Sequence, residues 1–497
     1  MLQTLKNAWN TKEIRKKILF TLFILLLFRI GTVIPVPFVE ANSISNALNG
    51  TILHYMDMLS GGALGQMTLF ALGVQPYINA SIIIQLLAVV FPKLGEIAKE
   101  DKKKMTAITR VVTLVLAIVT GVGYYLMIKN GGALTKAATE GQRAWLYGIV
   151  IIACYVAGAT LVMWLAERIN ERGIGNGISL ILFAGIIAEV PSFVSTLVKF
   201  VVSTYSYPKN VGLYASLSTV FAVLLIALLL GLIAYVIYIT GSERRIPVQY
   251  AKKVVGRKMY GGQSSNLPIK LNMTGVMPII FASSIVSFVP TVIQVLASAK
   301  VLILEDPTTH ELTGWGKFMN IIGTDGFVYP ILTFILIIAF AYFYTQITFN
   351  PIEVSNNLKK QGGAIPGIRQ GRSTSDYIKK ILNKITLAGA LFLAFVALLP
   401  MILGPHAFKH FFEWIFMGAY DIDALATQYT SWGISSELAL EWAQSSATSY
   451  AQQSASELTG VFTFGGTTLL IVVGVAIETF RELEAQLTMR NYKGFLN

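Results

Sequence analysis

Two histidines four residues apart, followed by a carboxylate, are the best candidates in this sequence for metal chemistry. His406 and His410 fall on one face of a predicted helix, and Glu413 follows one turn later. Imidazole nitrogens and carboxylate oxygens are zinc ligands, but a structural zinc site takes four protein ligands. Since no further ligand cluster completes the set, we interpret the run as an exposed helical face and predict no metal and no cofactor.

The other reactive residues do not form a catalytic constellation. The sequence contains no HExxH, GxSxG or GxxxxGK[ST] motif, which are the patterns of zinc proteases, serine hydrolases and P-loop enzymes. The run RGIGNGIS at 172–179 is glycine-rich but follows an apolar stretch rather than a strand, so it predicts a tight turn. The single cysteine, Cys154, lies in an apolar run and is interpreted as a packing residue. We therefore predict that the chain is not an enzyme.

Long apolar segments must position whatever function the chain has. The sequence is 54% hydrophobic and 13% charged, against about 25% charged residues in soluble domains. Because about 20 apolar residues in a helix cross a bilayer, we predict an all-α polytopic membrane protein with ten transmembrane helices. The predicted spans are 18–39, 74–92, 106–128, 145–166, 178–200, 212–240, 273–298, 327–349, 381–403 and 461–480.

Charged residues inside these spans are sparse. Arg29 lies in the first span and is interpreted as facing the bundle or snorkelling; Glu189 lies in the outer half of the fifth. The first span follows a basic segment as a signal peptide would, but it lacks a small-residue cleavage motif and is predicted to be retained. An ion-coupled carrier normally needs several charges near the midplane, and the spans carry isoleucine-rich runs there instead.

The distribution of basic residues predicts the orientation. Of the 39 Lys and Arg residues, 30 fall in the segments that ten spans place inside and 8 fall outside. Cytoplasmic loops carry the excess of Lys and Arg, so both termini, 1–17 and 481–497, are predicted to be cytoplasmic.

A short, glycine-rich apolar stretch precedes the second span. Residues Ser60–Gly73 are too short to cross the membrane and too rich in glycine for a straight helix. Irregular backbone at membrane depth is tolerated where protein buries it or where it lines a cavity. The stretch is therefore either a re-entrant element inside the bundle or an external loop, and the spacing does not separate the two.

Two loops on the predicted inner side are strongly basic: 241–270 has a net charge of +6, and 346–380, counted with its flank to residue 384, has a net charge of +5. The alternation of Ile246, Val248 and Tyr250 predicts a short hairpin in the first loop. Lys and Arg on projecting loops suit phosphate backbones or an acidic protein partner, although ordinary anchoring on the cytoplasmic side also explains the charge. On the outer side, 201–211 is a linker, and 401–460 combines an aromatic part, which we place along the outer interface, with a polar helical part.

At this point several long motifs carry a resemblance to a known family. SGGALGQMTLFALGVQPYINASIIIQLL, ERGIGNGISL, GVMPIIFASSI, IPGIRQG and FGGTTLLIVVGVAIET together resemble the SecY family of bacterial protein-translocation channels. They run in the right order over nearly the whole chain. The segment 401–460 departs from the family, whose last two spans are usually joined by a short outer turn.

The resemblance implies two pseudo-symmetric five-helix halves, 18–200 and 212–480, with a re-entrant plug half-helix at 60–73. The residues assigned to the plug are Ser60, Gly61, Gly62, Ala63, Leu64, Gly65, Gln66, Met67, Thr68 and Leu69. It also implies a midplane ring of apolar side chains, assigned to Ile78, Ile82, Leu182, Ile186, Ile280 and Ile471. Such a ring dewets when empty and offers no specific hydrogen bonds to a passing chain.

The resemblance further implies a lateral gate between the second and third spans and the seventh and eighth, through which apolar segments leave for lipid. Its candidates are Gln85, Ser283, Ser284 and Phe288. The basic loops would dock the ribosome and the motor ATPase SecA, with SecE and SecG as small membrane subunits and signal sequences and unfolded preproteins as substrates. The docking candidates are Arg244, Arg245, Lys252, Lys253, Arg257, Lys258, Lys359, Lys360, Arg369 and Arg372.

Two other classes of function compete with the channel in the bacterial cytoplasmic membrane. A small-solute secondary transporter shares inverted repeats and broken helices, but it needs a polar substrate site where this sequence has isoleucines. A membrane enzyme needs a nucleophile or a metal cluster, for which we find no candidate.

Overall fold

The computed structural model is a helical bundle with a small sheet at one end. It describes residues 2–40, 52–139, 144–206, 211–250, 253–255, 258–260, 264–298, 301–304, 312–323, 326, 328–404, 408–419 and 421–493. The helices of the first half are α1 Leu2–Asn10, α2 Lys12–Gly31, α3 Ile52–Ser60, α4 Gln75–Val90, α5 Pro92–Glu100, α6 Lys102–Asn130, α7 Lys136–Thr139, α8 Ala144–Arg172 and α9 Gly177–Ser206.

The second half combines helices with five short strands. Its helices are α10 Val211–Gly241, α11 Met277–Ser298, α12 Gly314–Ile322, α13 Val328–Thr348, α14 Pro351–Lys360, α15 Arg372–Leu403, α16 Lys409–Ala419, α17 Ile422–Ser431 and α18 Ser436–Lys493. The strands are β1 Glu243–Tyr250, β2 Lys253–Val255, β3 Lys258–Tyr260, β4 Ser264–Lys270 and β5 Gly363–Ala364. We call the end with α1 and the strands the basic end, and the end with α16 and α17 the insertion end.

Among the described residues, seven helices are long and apolar enough to cross a membrane, and a bent pair gives an eighth. The bent pair is α4 with the start of α5, which meet at 117°; Pro92 follows the bend and cannot continue the hydrogen-bond ladder of α4. The predicted all-α, multi-pass membrane fold is confirmed, whereas the count of ten spans is a prediction that exceeds these eight.

The first and tenth spans differ from their predicted bounds. The predicted first span reaches residue 39, but α2 ends at Gly31. The chain then turns, and isolated bridges pair Pro35 with Thr68 and Val39 with Leu134; Pro35 and Pro37 are poor residues for the interior of a helix. The predicted tenth span, 461–480, lies inside one helix of 58 residues, α18.

The long helix α18 begins in the segment 401–460, where the sequence departs from the SecY pattern. Its buried alanines recur every four residues, so they form one stripe along the helix. They are Ala439, Ala443, Ala447, Ala451 and Ala455. α16 and α17 pack against α18 here. The segment is therefore a compact helical bundle, which agrees with the helical character predicted for its polar part.

The aromatic part of 401–460 packs one face against the bundle. Phe412, Ile415 and Phe416 on α16 are buried against α9 and α10. Its position along the outer interface stays a prediction. Trp414, on the other face of α16, is half exposed.

Candidate pore, plug and gate

The six predicted ring residues belong to one buried apolar cluster. Four helices supply them: α4, α9, α11 and α18. Their exposed fractions range from 1% to 4%, for Ile78, Ile82, Leu182, Ile186, Ile280 and Ile471. The pairs on α4 and on α9 are each four residues apart, so each pair lies on one helical face. All six thus lie in the buried apolar core of the bundle, while their arrangement as a ring and their role as a pore constriction stay predictions.

The plug lies next to this cluster, but its helical part is not where the sequence placed it. The predicted half-helix covered residues 60–73, whereas the helix is α3, Ile52–Ser60, and residues 61–73 form turns. Gly61 and Gly62 have φ angles of 74° and 79°, and Met67 has 51°. A right-handed helix needs negative φ throughout, so it ends at Ser60. We call residues 52–73 the plug segment.

Burial decides between the two alternatives left open for this stretch. Leu64 and Met67 are at most 1% exposed, and Phe70 is 2% exposed. The ring of Phe70 stacks on Phe28 of α2 at a centroid distance of 5.8 Å. An external loop would leave such side chains in water, so the plug segment is a re-entrant element inside the bundle.

Close backbone contacts seat the plug segment on α8 and α9. A Cβ atom added at Gly185 of α9 would lie 2.5 Å from the carbonyl oxygen of Leu59. One added at Gly158 of α8 would likewise overlap the carbonyl oxygen of Leu69. Real Cβ atoms do not approach this closely, so only glycine lets these backbones meet. Gly185 is one residue from Ile186, which places the seat beside the ring.

Polar groups fix the turns of the plug segment. The guanidinium of Arg29 donates a hydrogen bond of 2.9 Å to the carbonyl oxygen of Gly61. The backbone N–H of Gly65 donates one of 2.8 Å to the carboxylate of Asp57. Arg29 therefore faces the bundle, as interpreted from the sequence, and it satisfies a carbonyl that the end of α3 leaves without a helical partner.

The helices on either side of the predicted lateral gate are in contact. Across it, a Cβ atom added at Gly123 of α6 would lie 2.5 Å from Val295 of α11. The hydroxyl of Tyr344 on α13 donates a hydrogen bond of 2.7 Å to the side-chain oxygen of Gln85 on α4. The amide nitrogen of Gln85 donates to Ser81. Gln85 thus lies at the predicted seam.

The other three gate candidates differ in their surroundings. Ser283 and Ser284 are buried, and Ser283 donates to the carbonyl oxygen of Ile280 in its own helix. Phe288 is 38% exposed on the surface of the bundle. Tyr344 was not predicted from the sequence, because a tyrosine among the aromatic residues of a span carries no signal of its partner.

The two basic loops form one structure at the basic end. β1 pairs with β4 in the predicted hairpin, and β1 also pairs with β5 from the second loop, through Gln249 with Ala364 and Tyr250 with Gly363. Ile246, Val248 and Ile365 are buried together in a separate apolar cluster. We call this unit the basic platform. The sequence predicted the hairpin but not its joining to the second loop, since a two-residue strand has no periodicity.

The docking candidates lie on or near the basic platform. Six of them have exposed side chains: Arg244, Arg245, Lys359, Lys360, Arg369 and Arg372. Lys253 and Lys258 lie in β2 and β3, and Lys252 and Arg257 lie outside the described residues. Arg245 pairs with Glu243 at 2.8 Å. Burial, and then the charge of Arg481, lowers the pKa of Lys270 in β4.

A cavity opens beside the platform between α13, α14 and α15. Its volume is about 820 Å³, and Asn350, Arg372, Asp376 and Lys379 are among its lining residues. Charged groups of both signs line it together with apolar side chains such as Phe349 and Leu382.

Two sequence features outside this site are also placed. His410 is exposed, its Nδ1 lies 3.3 Å from Glu413, and His406 lies outside the described residues. Among the described residues no group of three or more His, Cys, Asp or Glu side chains is arranged to hold a metal ion. Cys154 is half-buried.

Solved structures share this fold. One described as "The structure of a protein conducting channel" has a TM-score of 0.56 at 17% identity, over 94% of this chain and 91% of that chain. Another, Sec61 in the canine ribosome–channel complex from the endoplasmic reticulum, has a TM-score of 0.53 at 16% identity, over 94% and 91%.

Sequence comparison identifies the family directly. The SecY subunit of the protein translocase of Streptomyces galbus is 36% identical over 510 residues, and that of Streptomyces coelicolor is 37% identical, each alignment covering 100% of both chains. The SecY family model matches residues 68–419. The resemblance read from the motifs is confirmed, and the chain belongs to the SecY family.

Proposed function

We propose that this chain is the protein-conducting channel of a bacterial cytoplasmic membrane, passing unfolded preproteins across it and releasing apolar segments sideways into lipid. The observation that carries the proposal is the burial of the six predicted ring residues, from four helices, in one apolar cluster that also contains Leu64 and Met67 of the plug segment. Two closures in series suit a channel that must hold back ions at rest and open for a polypeptide.

The chemistry of the ring supports a substrate of any sequence. An apolar constriction makes no specific hydrogen bonds, so it does not select among side chains, and it excludes water when empty. A signal segment rich in Leu and Ile gains about 0.3–0.6 kcal/mol per residue at the bilayer centre. The contacts between α4 and α13 lie where such a segment would leave, and they must break to let it pass.

Driving force comes from partners in this proposal, since no catalytic step is assigned to the chain itself. The basic platform presents Arg369 and its neighbours to the ribosome and to the motor ATPase SecA. Exposed Lys and Arg match the phosphates of ribosomal RNA and the carboxylates of an acidic protein surface. SecE and SecG complete the membrane complex, and both termini are cytoplasmic, as the distribution of basic residues predicts.

Photo-crosslinking from the ring tests the proposal. A photoreactive residue is placed at Ile82 and, separately, at Ile471, in membranes that carry a stalled secretory chain. The control position is Val89 on α4, which is 62% exposed on the bundle surface. We expect crosslinks to the stalled chain from both ring positions and lipid adducts from Val89.

The opposite result would overturn the proposal. If neither ring position crosslinks while the protein is inserted and the substrate is stalled, the cluster is ordinary core. The secondary-transporter interpretation would then be favoured, and uptake of small solutes would be the next measurement.

A further inference from the structure

An aromatic cluster at the insertion end joins the two halves of the chain. The first half supplies Leu197 and Phe200 from α9. The second half supplies Leu225 from α10, Phe412, Ile415 and Phe416 from α16, and Ala451 and Ala455 from α18. All eight are at most 7% exposed. We call them the brace cluster.

The rings in the brace cluster interlock across the halves. Phe200 meets Phe412 edge to face, with centroids 5.3 Å apart, and Phe416 in the same way at 5.5 Å. Edge-to-face pairs depend on ring orientation as well as distance. A rotation of α9 against α16 therefore loses these contacts even if the helices stay neighbours.

The brace cluster lies beside the point where the chain passes from its first half to its second half. The chain connects its halves once, between α9 and α10. Separation at the seam formed by α4, α6, α11 and α13 must turn one half against the other about that connection. The brace cluster adds packed side chains to the joint.

We propose that the insertion helices brace the joint between the halves and so hold the lateral gate closed in the resting channel. The inference rests on the proposed channel function, but the contacts from which it is argued do not depend on that function. The alanines let α16 and α17 lie close against α18, which makes the brace a small three-helix unit rather than a loose loop.

The first test measures gate separation without any substrate. In the full-length chain, Gln85→Cys and Tyr344→Cys are introduced with Cys154→Ala, and the rate of bis-maleimide crosslinking between α4 and α13 is followed in membranes. In this background, Phe412→Ala with Phe416→Ala should lower the rate on the order of tenfold, because two aromatic pairs across the halves are lost.

A matched control exists in the same helix. Phe411 packs against Phe221 of α10 with centroids 5.1 Å apart, and both residues belong to the second half. Phe411→Ala removes an aromatic ring of the same size while the pairs of Phe200 with Phe412 and Phe416 remain, so it should leave the crosslinking rate unchanged.

A second test works in the opposite direction, and it compares linked and unlinked forms of the same variant, so that the substitutions themselves cancel. Phe200→Cys with Phe412→Cys, joined by a short bis-maleimide, locks the joint. Translocation of a secretory chain should then fall at least severalfold relative to the unlinked pair. The control pair, Phe221→Cys with Phe411→Cys, joins two helices of one half and should translocate equally well before and after linking.

Two outcomes would overturn the brace. One is equal α4–α13 crosslinking in the double alanine variant and in Phe411→Ala. The other is undiminished translocation through the locked joint. Failure of the proposed function looks different, because the crosslinking rate reports the separation of the halves whether or not a polypeptide passes the ring.

Discussion

The hydroxyl of Tyr344 donates a 2.7 Å hydrogen bond to the side-chain oxygen of Gln85, and this bond ties α13 to α4. The two residues are 259 positions apart and belong to different halves. The side-chain nitrogen of Gln85 donates a second hydrogen bond, of 3.0 Å, to the hydroxyl of Ser81. This bond orients the side-chain oxygen of Gln85 toward Tyr344. A polar bond in an apolar seam is strong while it is dry and is exchanged for water once the seam opens.

The first prediction concerns this bond. Tyr344→Phe removes one hydroxyl and should destabilise the closed gate by about 1 kcal/mol, a shift of about fivefold toward opening. Export of a reporter with a weakly apolar signal segment should rise accordingly. The control is Tyr342→Phe, whose hydroxyl donates to the carbonyl oxygen of Asn383 on the neighbouring helix. Equal export by the two variants would show that the bond does not hold the gate.

The second prediction concerns the seat of the plug segment. Gly185→Ala puts a methyl group 2.5 Å from the carbonyl oxygen of Leu59, so the plug segment must shift away from α9. Overpacking of this kind costs about 1–3 kcal/mol, and ion conductance of the resting channel in planar bilayers should rise. Gly231→Ala is the control, since a Cβ atom there meets nothing within 4 Å. Conductance that is the same in both variants would contradict the seat.

The third prediction concerns the ring. Ile280→Asn places an amide among buried apolar side chains, where it can hold water and wet the constriction. Resting conductance should increase, whereas Ile280→Leu, which preserves volume and apolarity, should behave as the unmodified chain does. The measurement is single-channel recording of the purified complex. If the conductance of the Ile280→Asn variant does not increase, Ile280 is not part of the ring.

The fourth prediction concerns the basic platform. Arg369→Glu reverses an exposed charge at the turn after β5, so an acidic or phosphate-bearing partner should be repelled. Translocation driven by the motor should be abolished while the amount of inserted protein is unchanged. Lys317→Glu, an equivalent reversal on α12 at the insertion end, should leave transport intact. Normal transport by Arg369→Glu would show that this part of the basic platform does not dock the partner.

Much of the helical architecture was predictable because the length of each apolar segment can be read from the sequence. The middle spans agree with their helices to within a few residues at most ends; for example, 212–240 became Val211–Gly241. Helix ends near the basic end were harder. α15 starts at Arg372, nine residues before its predicted span, because a helix can continue past the apolar layer into water.

The contacts that shape the site were less predictable. The four-residue spacing of Ile78 and Ile82 shows that they share a face, but it does not say what that face meets. The plug segment was found through its glycines, yet the same glycines, at Gly61 and Gly62, end the helix rather than lie within it. The pairing of Tyr250 with Gly363 joins loops more than a hundred residues apart. A single sequence gives no indication that two such distant segments pair.

The length of helix α18 determines how far a movement at the basic end displaces the insertion end. Its 58 residues form one uninterrupted rod, about 87 Å long at 1.5 Å per residue. Near its C-terminal end Leu483 packs with Ile14 of the first half, and about a third of the way from its N-terminal end Ala455 lies in the brace cluster. A tilt of about 5° imposed at the basic end would therefore move the far tip by about 8 Å. A movement of the basic platform would therefore appear at the insertion end as a displacement several times larger than the movement of the nearby packed side chains.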